Sequence, residues 1–331
     1  MITVVPVELT DAALAADVVE GLAQVEDGLR DAARAQDDLL AETSGYLINA
    51  GGKRFRATLV LLAAQFGNAR DPRVVPAAVA IELTHLATLY HDDVMDEAPV
   101  RRGHPSANSR WDNTIAILTG DFLFARASSI LADLGEEAIR IQAATFAQLV
   151  SGQIAETVGA RPGEDPLDHY MKVVTDKTAS LIATAGRFGA MFSGAPDGVA
   201  TRIATACGAF GVAWQLADDI LDVASETVQS GKTPGTDLHE GVLTLPMLHA
   251  LRMAGPGDAR LVELLSSGKL TDPGLHAEAL GLLRAHPAME LARADLREWA
   301  GVARQEIMAL PDVPARAAFE GLCDFVVERT G

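Results

Sequence analysis

The sequence is poor in cysteine, aromatic residues and positive charge. It has two cysteines among 331 residues, Cys207 and Cys323, and 5% aromatic residues. Two distant cysteines exclude a disulfide-rich scaffold and have no metal-ligand spacing. They are typical of buried residues in a reducing compartment, and a single disulfide between them is not excluded. The chain has 27 Lys and Arg against 45 Asp and Glu, which gives a net charge of −18. This excess of negative charge argues against nucleic acid or an anionic membrane as the main partner.

Long apolar runs and targeting segments are also lacking. The longest apolar stretch, residues 74–90, is interrupted by Pro76 and contains Glu82 and His85, so we expect no integral membrane segment. The N-terminus lacks the positively charged region of a secretory signal and carries acidic residues from Glu8 onward. The sequence therefore predicts a cytoplasmic protein.

What the chain does contain is helical periodicity. Apolar residues make up 49% of it and charged residues 22%, which is enough for a substantial core. The periodic segments, separated by short Gly, Pro and Asp breaks, predict helices over 10–42, 55–67, 74–97, 112–133, 136–158, 166–192, 197–223, 242–254, 258–266, 274–285, 289–309 and 314–329. Only residues 2–7 alternate like a strand, with little to pair with. No linker marks a boundary, so we predict one all-α domain over residues 1–331.

Two acidic pentads repeat one Asp-Asp-x-x-Asp pattern within apolar helical segments. The first begins at Asp92 and the second at Asp218. Residues four apart share a helix face, so Asp96 lies near Asp92 and Asp222 lies near Asp218. Stacked carboxylates repel one another, and Mg²⁺ prefers such oxygen ligands together with water and substrate phosphates. A single pentad would favour a solvated acidic face, whereas the pair favours a metal site.

Polar residues extend the acidic faces of both helices. His85 lies seven residues before Asp92, and Gln215 lies three residues before Asp218. A histidine on an apolar helix is more often a core residue bonded to a carbonyl, but the position of His85 on the acidic face favours a ligand-binding role. The amide of Gln215 can donate to a diphosphate oxygen without adding charge.

Lysine is rare in this sequence, because 22 of the 27 basic residues are arginines and only five are lysines. Each lysine is therefore a candidate for a specific role. Lys53 and Arg56 follow two glycines, and Lys177 and Lys232 each lie in a short polar motif. Lysine and arginine both bind phosphate, although one basic cluster alone is more often a solvated surface. Together with two acidic pentads, three basic clusters predict a site for two diphosphates bridged by metal.

These motifs, in this order, resemble the trans-isoprenyl diphosphate synthases of the polyprenyl synthetase family over nearly the whole chain. The matching segments are GGKRFR at 51–56, HDDVMD at 91–96, RRG at 101–103, GD at 120–121, DKT at 176–178, QLADDILD at 215–222 and GK at 231–232. The resemblance implies a bundle of about a dozen helices around a central catalytic cavity, of the isoprenoid synthase type, and a homodimer. The implied reaction is head-to-tail condensation of isopentenyl diphosphate with an allylic diphosphate, assisted by Mg²⁺.

The resemblance also implies a role for each matching residue. The expected Mg²⁺ ligands are Asp92, Asp96 and Asp218, and the expected groups behind them, acting directly or through water, are Asp93, Asp219 and Asp222. The groups expected to hold the allylic diphosphate are Arg101, Lys177, Thr178, Gln215 and Lys232, of which the two lysines also assist catalysis. The groups expected to hold isopentenyl diphosphate are Lys53, Arg56, His85 and Arg102.

Chain length depends on residues beside the first pentad. A growing prenyl tail must run away from the pentad between helices, so Ala87 and Thr88, one turn before Asp92, should line the start of a tunnel. Both are small, whereas short-chain relatives often carry aromatic residues there. Phe146 is the predicted floor and Phe122 the alternate, although any one phenylalanine is more often ordinary core. We therefore predict a product longer than geranylgeranyl, in the hexaprenyl to decaprenyl range, suited to a quinone side chain.

Three other interpretations use the same motifs. A geranylgeranyl or farnesyl diphosphate synthase would differ only in tunnel depth. A class I terpene cyclase shares the first pentad, but Asp222 stands where its second motif usually has Ser or Thr, and a cyclase needs no isopentenyl site. A non-catalytic synthase subunit would be expected to have lost a pentad, and both are intact here.

Overall fold

The computed structural model describes residues 2–4, 7–225 and 234–330, and helices account for most of them. The helices are α1 Ala12–Ala32, α2 Asp38–Asn49, α3 Phe55–Ala64, α4 Val74–Met95, α5 Ala107–Arg110, α6 Asn113–Leu134, α7 Glu136–Val158, α8 Pro166–Val173, α9 Ser180–Phe192, α10 Asp197–Ala224, α11 Thr236–Glu240, α12 Leu245–Met253, α13 Ala259–Ser266, α14 Pro273–Ala285, α15 Ala288–Met308 and α16 Pro314–Glu328. The predicted all-α class is confirmed.

Aspartates set the starts of several of these helices. The side chains of Asp11, Asp37 and Asp112 accept hydrogen bonds from backbone amides three residues later, at 2.8 to 2.9 Å. Asp165 and Asp272 do the same for α8 and α14, each just before a proline in the first turn. A carboxylate at this position satisfies an amide that the helix itself leaves unpaired.

Two predictions about the N-terminal region are wrong. The segment 10–42 is not one helix, because Asp37 caps a new helix, α2, which runs on to Asn49. The strand that the sequence left without a partner has one, since β1 (Ile2–Val4) pairs antiparallel with β2 (Val7–Leu9). A second short pair joins β3 (Val100–Arg101) to β4 (His104–Pro105), directly after the first acidic pentad.

The predicted helix over 166–192 is interrupted. Between α8 and α9 the backbone forms a π-helical segment, Val174–Ala179, which contains Lys177 and Thr178. A Cβ atom added to Gly152 of α7 would lie 2.6 Å from the backbone nitrogen of Lys177, so α7 approaches this segment closely. Single π-helical turns inside longer helices are frequent at functional sites.

Backbone contacts divide the described residues into two compact units. The first unit comprises the described residues of 1–147, 181–207 and 307–321, and the second those of 148–180, 208–306 and 322–331. The single domain predicted from the sequence stays a prediction.

The core of the first unit is built on α3 and α4. Residues 57–64 of α3 are all buried, as is most of α4. Helix α4 packs against α6 at Gly120, where an added Cβ would lie 2.3 Å from Nε2 of His91 and 3.1 Å from the carbonyl oxygen of Ala87. The helix that ends in the first acidic pentad is therefore held by close packing against α6 directly before the motif.

Helix α6 is apolar but poorly covered. Within the described part of the chain it is the one helix long and apolar enough to cross a membrane by length and composition, and 33% of its apolar window is buried. Ile117 and Leu118 on this helix are 42% and 56% exposed. The predicted cytoplasmic location stays a prediction.

Candidate active site

In the first acidic pentad, the middle aspartate differs from the other two. Asp93 is fully buried, and Nε of Arg101 donates to its Oδ1 at 2.5 Å. Burial raises the pKa of Asp93, and the positive charge of Arg101 opposes that rise. Asp92 is half-buried and Asp96, which follows the last residue of α4, is exposed. The pentad thus turns one carboxylate into the protein and leaves Asp96 open to a ligand.

The glycine and arginine motifs of the first unit lie against each other. Nη1 of Arg102 donates to the carbonyl oxygens of Leu47, at 2.8 Å, and Gly51. A Cβ atom on Gly52 would lie 3.0 Å from the Arg102 guanidinium, so that guanidinium packs closely against the backbone of Gly52. The segment 51–56 and Arg102 therefore lie together, and they contain three of the residues expected to hold isopentenyl diphosphate: Lys53, Arg56 and Arg102.

Arg54, which the sequence analysis passed over, anchors this cluster. Its side chain is buried, with Nε donating to Oε1 of Glu26 at 2.5 Å and Nη2 to the carbonyl oxygen of Ile48 at 2.9 Å. Its φ of 45° lies in the left-handed region, so the contacts of its side chain hold a strained turn. Lys53, its neighbour, is exposed. The order of Lys53, Arg54 and Arg56 in the sequence does not indicate which of the two arginines faces the protein interior.

Arg56 and His85 face the same positive cluster. Burial lowers the pKa of Arg56, the charge of Glu82 opposes this effect, and Arg102 adds to it. Glu82 is itself buried and accepts a hydrogen bond from the amide of Ala57 at 2.9 Å, at the start of α3. Nε of Arg56 is buried without a hydrogen-bond partner. A concentration of positive charge with an unsatisfied donor is suited to an anionic ligand such as a diphosphate.

His85 is predicted to make the protein acid-sensitive. Burial lowers its pKa well below the ordinary 6.5, and Arg56, Arg102, Arg101 and Arg54 lower it further. The folded state therefore takes up a proton less readily than the unfolded chain, and the free energy of unfolding should fall as the pH drops below about 6.5. We expect His85→Asn to remove about 1 kcal/mol of the loss between pH 7.5 and 5.5, measured by urea unfolding. His104→Asn, at an exposed position, should follow the wild type; parallel curves for all three proteins would contradict the assignment.

The second acidic pentad, on α10 in the second unit, shows the same difference among its aspartates. Asp219 is buried; the hydroxyl of Tyr170 donates to its Oδ2, and Nε2 of Gln215 donates to Oδ1 at 2.8 Å. Burial raises the pKa of Asp219 to about 7, against the opposing effect of these two donors. Asp222 accepts hydrogen bonds from the amides of Thr236 and Asp237, both at 3.1 Å. Asp222 thus fixes the start of α11.

Asp218 is the exposed carboxylate of this pentad. Its side chain is 45% exposed, and Arg329 forms an ion pair with its Oδ1. No motif in the sequence indicates Arg329 or Tyr170, because both contact the pentad from distant segments of the chain.

The π-helical segment brings Lys177 and Thr178 to the same cavity as Gln215 and Asp219. Lys177 pairs with Glu156, and the hydroxyl of Thr178 donates to Oε1 of Gln215 at 3.3 Å. A cavity of about 460 Å³ within the second unit is lined by residues that include Tyr170, Lys177, Thr178, Gln215, Asp219 and Thr244. The amide of Gln215 is oriented by neighbours at both ends, a role that the sequence did not predict. Lys232 lies outside the described residues.

The proposed tunnel residues lie in the first unit. Ala87 and Thr88 are buried on α4, and the Thr88 hydroxyl donates to the carbonyl oxygen of His85 at 2.8 Å. Phe146 on α7 is half-buried, with its ring centroid 4.0 Å from that of Phe124 on α6. Phe122 lies beside Arg126, 5.7 Å from its guanidinium carbon. Phe124, which the sequence analysis did not select, is therefore a packing partner of the predicted floor.

The donors present are compatible with Mg²⁺. Among the described residues, no three His, Cys, Asp or Glu side chains converge as a ready-made metal cage. Mg²⁺ usually keeps several waters and takes only one or two carboxylates together with substrate phosphates. Asp96 and Asp218 are exposed at the ends of their motifs, while Asp93 and Asp219 are occupied by protein donors. The outer aspartates thus suit a metal that arrives with a diphosphate.

Comparisons with known proteins agree with this arrangement of motifs. The sequence profile described as Polyprenyl synthetase matches residues 37–282. Nonaprenyl diphosphate synthase of Mycobacterium tuberculosis is 52% identical over 326 residues, covering 98% of this chain and 97% of the relative.

Solved structures give the same result. Geranylgeranyl pyrophosphate synthase of Corynebacterium glutamicum, crystallised with calcium and isoprenyl diphosphate, is 42% identical with a TM-score of 0.89, covering 98% of this chain and 100% of that one. A decaprenyl diphosphate synthase from Rhodobacter capsulatus is 33% identical with a TM-score of 0.87, covering 96% and 99%.

Proposed function

The chain belongs to the polyprenyl synthetase family, and from that premise we propose that it is a long-chain trans-polyprenyl diphosphate synthase. It condenses isopentenyl diphosphate head to tail with an allylic diphosphate. The observation that carries this proposal is the arrangement of each acidic pentad: the middle aspartate is bonded into the protein, while one outer aspartate, Asp96 or Asp218, is exposed. The direct test is condensation of the two substrates, which EDTA should abolish and Mg²⁺ should restore.

The proposed chemistry begins with departure of the allylic diphosphate. Bound Mg²⁺ supplies positive charge that neutralises the leaving group as the carbon–oxygen bond breaks. By the resemblance of their motifs, Asp92, Asp96 and Asp218 would be Mg²⁺ ligands, and Arg101, Lys177, Thr178, Gln215 and Lys232 would bind the allylic diphosphate. Arg101 already donates to Asp93, so it can fix the motif through one face of its guanidinium and offer the remaining donors to substrate.

The second substrate needs positioning rather than ionisation. Lys53, Arg56 and Arg102 would hold the diphosphate of isopentenyl diphosphate. A neutral His85 would add a hydrogen-bond donor without adding another positive charge to the cluster. Held in this way, the double bond attacks the allylic cation, and much of the rate comes from orientation. The proton lost afterwards passes to the released diphosphate, since no other side chain is assigned as its acceptor.

The two diphosphate sites should separate in kinetics. We expect Arg56→Ala to raise KM for isopentenyl diphosphate about tenfold or more, because it removes a charged hydrogen-bond donor. Lys177→Ala should instead weaken binding or ionisation of the allylic substrate. Steady-state kinetics with each substrate varied in turn will measure both effects, with Lys269→Ala, at an exposed position, as the control. Identical effects of Arg56→Ala and Lys177→Ala on both substrates would argue against distinct sites.

The product proposed is hexaprenyl to decaprenyl diphosphate. Ala87 and Thr88 are small and buried, so neither carries a bulky side chain that would block the proposed path, and a relative at 52% identity is a nonaprenyl diphosphate synthase. The alternative is a geranylgeranyl diphosphate synthase, because the Corynebacterium glutamicum enzyme of that name is 42% identical. A terpene cyclase is less suited, since it has no use for the cluster around Arg56 and Arg102.

We also propose that the enzyme is a homodimer. Ile117 and Leu118 on α6 and Ile139 on α7 are exposed apolar residues on neighbouring helices of the first unit. Exposed apolar residues are typical of surfaces that bind another protein chain. A second copy of this chain is the proposed occupant.

A further inference from the structure

The end of α16 lies against the second acidic pentad through two matched contacts. Phe325 and Arg329 are four residues apart, and the amide of Arg329 donates to the carbonyl oxygen of Phe325 at 3.1 Å, which continues the helical turn. The Phe325 ring stacks on Trp214 with centroids 6.3 Å apart and an interplanar angle of 26°. The Arg329 guanidinium pairs with Asp218, four residues after Trp214 on α10.

The Arg329 side chain is largely buried, whereas the Asp218 side chain is exposed to solvent. The Arg329 side chain is 15% exposed, its guanidinium carbon lies 4.4 Å from the centroid of Trp214, and its Nε is buried without a hydrogen-bond partner. Asp218 is 45% exposed. A fully exposed ion pair contributes little, but an arginine held against an aromatic face is fixed in place. The guanidinium thus approaches Asp218 from the protein side and leaves the carboxylate accessible to solvent.

The three aspartates of the pentad are neutralised differently. Asp219 is met by neutral donors from Tyr170 and Gln215, and Asp222 by two backbone amides. Asp218 is met by a full positive charge. A carboxylate paired with a guanidinium has less affinity for a divalent cation, because the two positive charges repel and compete for the same oxygens.

We propose that Arg329 is a built-in counter-ion of the second acidic pentad, which neutralises Asp218 in the metal-free enzyme and gives up that carboxylate when a divalent cation binds. This inference rests on the proposed function, in which Asp218 is a metal ligand. Arg329 would thereby keep metal affinity low until a diphosphate arrives to share the cation. It would also limit repulsion among the aspartates in the free enzyme.

Metal binding without substrate tests the proposal. Mn²⁺ titrations of the full-length protein, followed by electron paramagnetic resonance, will compare wild type with Arg329→Gln. We expect Arg329→Gln to bind Mn²⁺ about tenfold more tightly. The control is Arg304→Gln, which removes the ion pair between Arg304 on α15 and Asp324 on α16 and should bind Mn²⁺ as the wild type does.

A second variant locates the effect. Adding Asp218→Asn to Arg329→Gln should abolish the gain, because the gain depends on the freed carboxylate. Thermal unfolding adds an independent readout: Arg329→Gln should lower Tm more in EDTA than in Mg²⁺, while Arg304→Gln should lower it equally in both.

The outcomes separate the two claims. Equal or weaker Mn²⁺ binding by Arg329→Gln, with normal binding by the wild type, would overturn the counter-ion role alone. No Mn²⁺ binding by either the wild type or Arg329→Gln, and no Mg²⁺ effect on the Tm of either protein, would overturn the metal assignment and the counter-ion role with it.

Discussion

Asp92→Ala and Asp218→Ala are each expected to lower turnover about a thousandfold, equivalent to about 4 kcal/mol of lost transition-state stabilisation. Each change removes an outer aspartate that would hold the metal facing the leaving diphosphate. The helical fold should persist, because Asp92 is half-buried and Asp218 is exposed, so that neither belongs to the core.

The measurement is the single-turnover rate at saturating substrate and Mg²⁺, with circular dichroism to verify the fold. Asp133→Ala, at an exposed position on α6, is a matched control and should turn over like the wild type. Near-wild-type rates in either test variant would remove that aspartate from the metal site.

Ala87→Phe is expected to change the product rather than the rate of the first condensation. Ala87 is 1% exposed and lies one turn before Asp92 on α4, where a larger side chain would enter the proposed path of the growing tail. Products should shorten to farnesyl or geranylgeranyl diphosphate, because elongation stops when the tail meets the ring. Overpacking a buried position costs about 1 to 3 kcal/mol, so Tm must be measured alongside.

A graded and an opposite variant complete this test. Ala87→Leu should shorten the products less than Ala87→Phe, and Phe146→Ala should lengthen them by removing the proposed floor. Phe124 packs directly on Phe146 and could keep the floor closed, so an unchanged product from Phe146→Ala would remove only that residue. Full-length products from a folded Ala87→Phe protein would contradict the proposed path itself.

The sequence predicted the helical class and the positions of both acidic pentads, because each of these depends on local spacing. Asp92 and Asp96 are four residues apart and share a helix face, which does not include Asp93. In the structure Asp93 is buried and accepts a hydrogen bond from Arg101. An Asp before a periodic segment indicates where a helix starts. The start of α2 at Asp37 was not predicted, because Asp37 lies inside the segment 10–42 that was predicted as one helix. The roles of individual site residues stay predictions until variants are measured.

What the sequence could not provide were contacts between distant segments. Tyr170 meets Asp219 and Arg329 meets Asp218 across 49 and 111 residues of chain, and neither pair shares a motif. The π-helical turn at Lys177 lies close to Gly152 of α7, a contact that leaves no local signal around residue 177. The role of Arg54 likewise depends on a distant contact, the ion pair of its buried side chain with Glu26.

The central claim, a long-chain polyprenyl diphosphate synthase, is tested most directly by product analysis of the wild-type enzyme. The purified protein would be incubated with Mg²⁺, isopentenyl diphosphate and, in turn, geranyl, farnesyl or geranylgeranyl diphosphate, and the chain lengths determined by mass spectrometry. We predict all-trans products in the hexaprenyl to decaprenyl range, with no product in EDTA. Products that stop at farnesyl or geranylgeranyl diphosphate would contradict the open path at Ala87 and Thr88, and the absence of any condensation would contradict the proposed function.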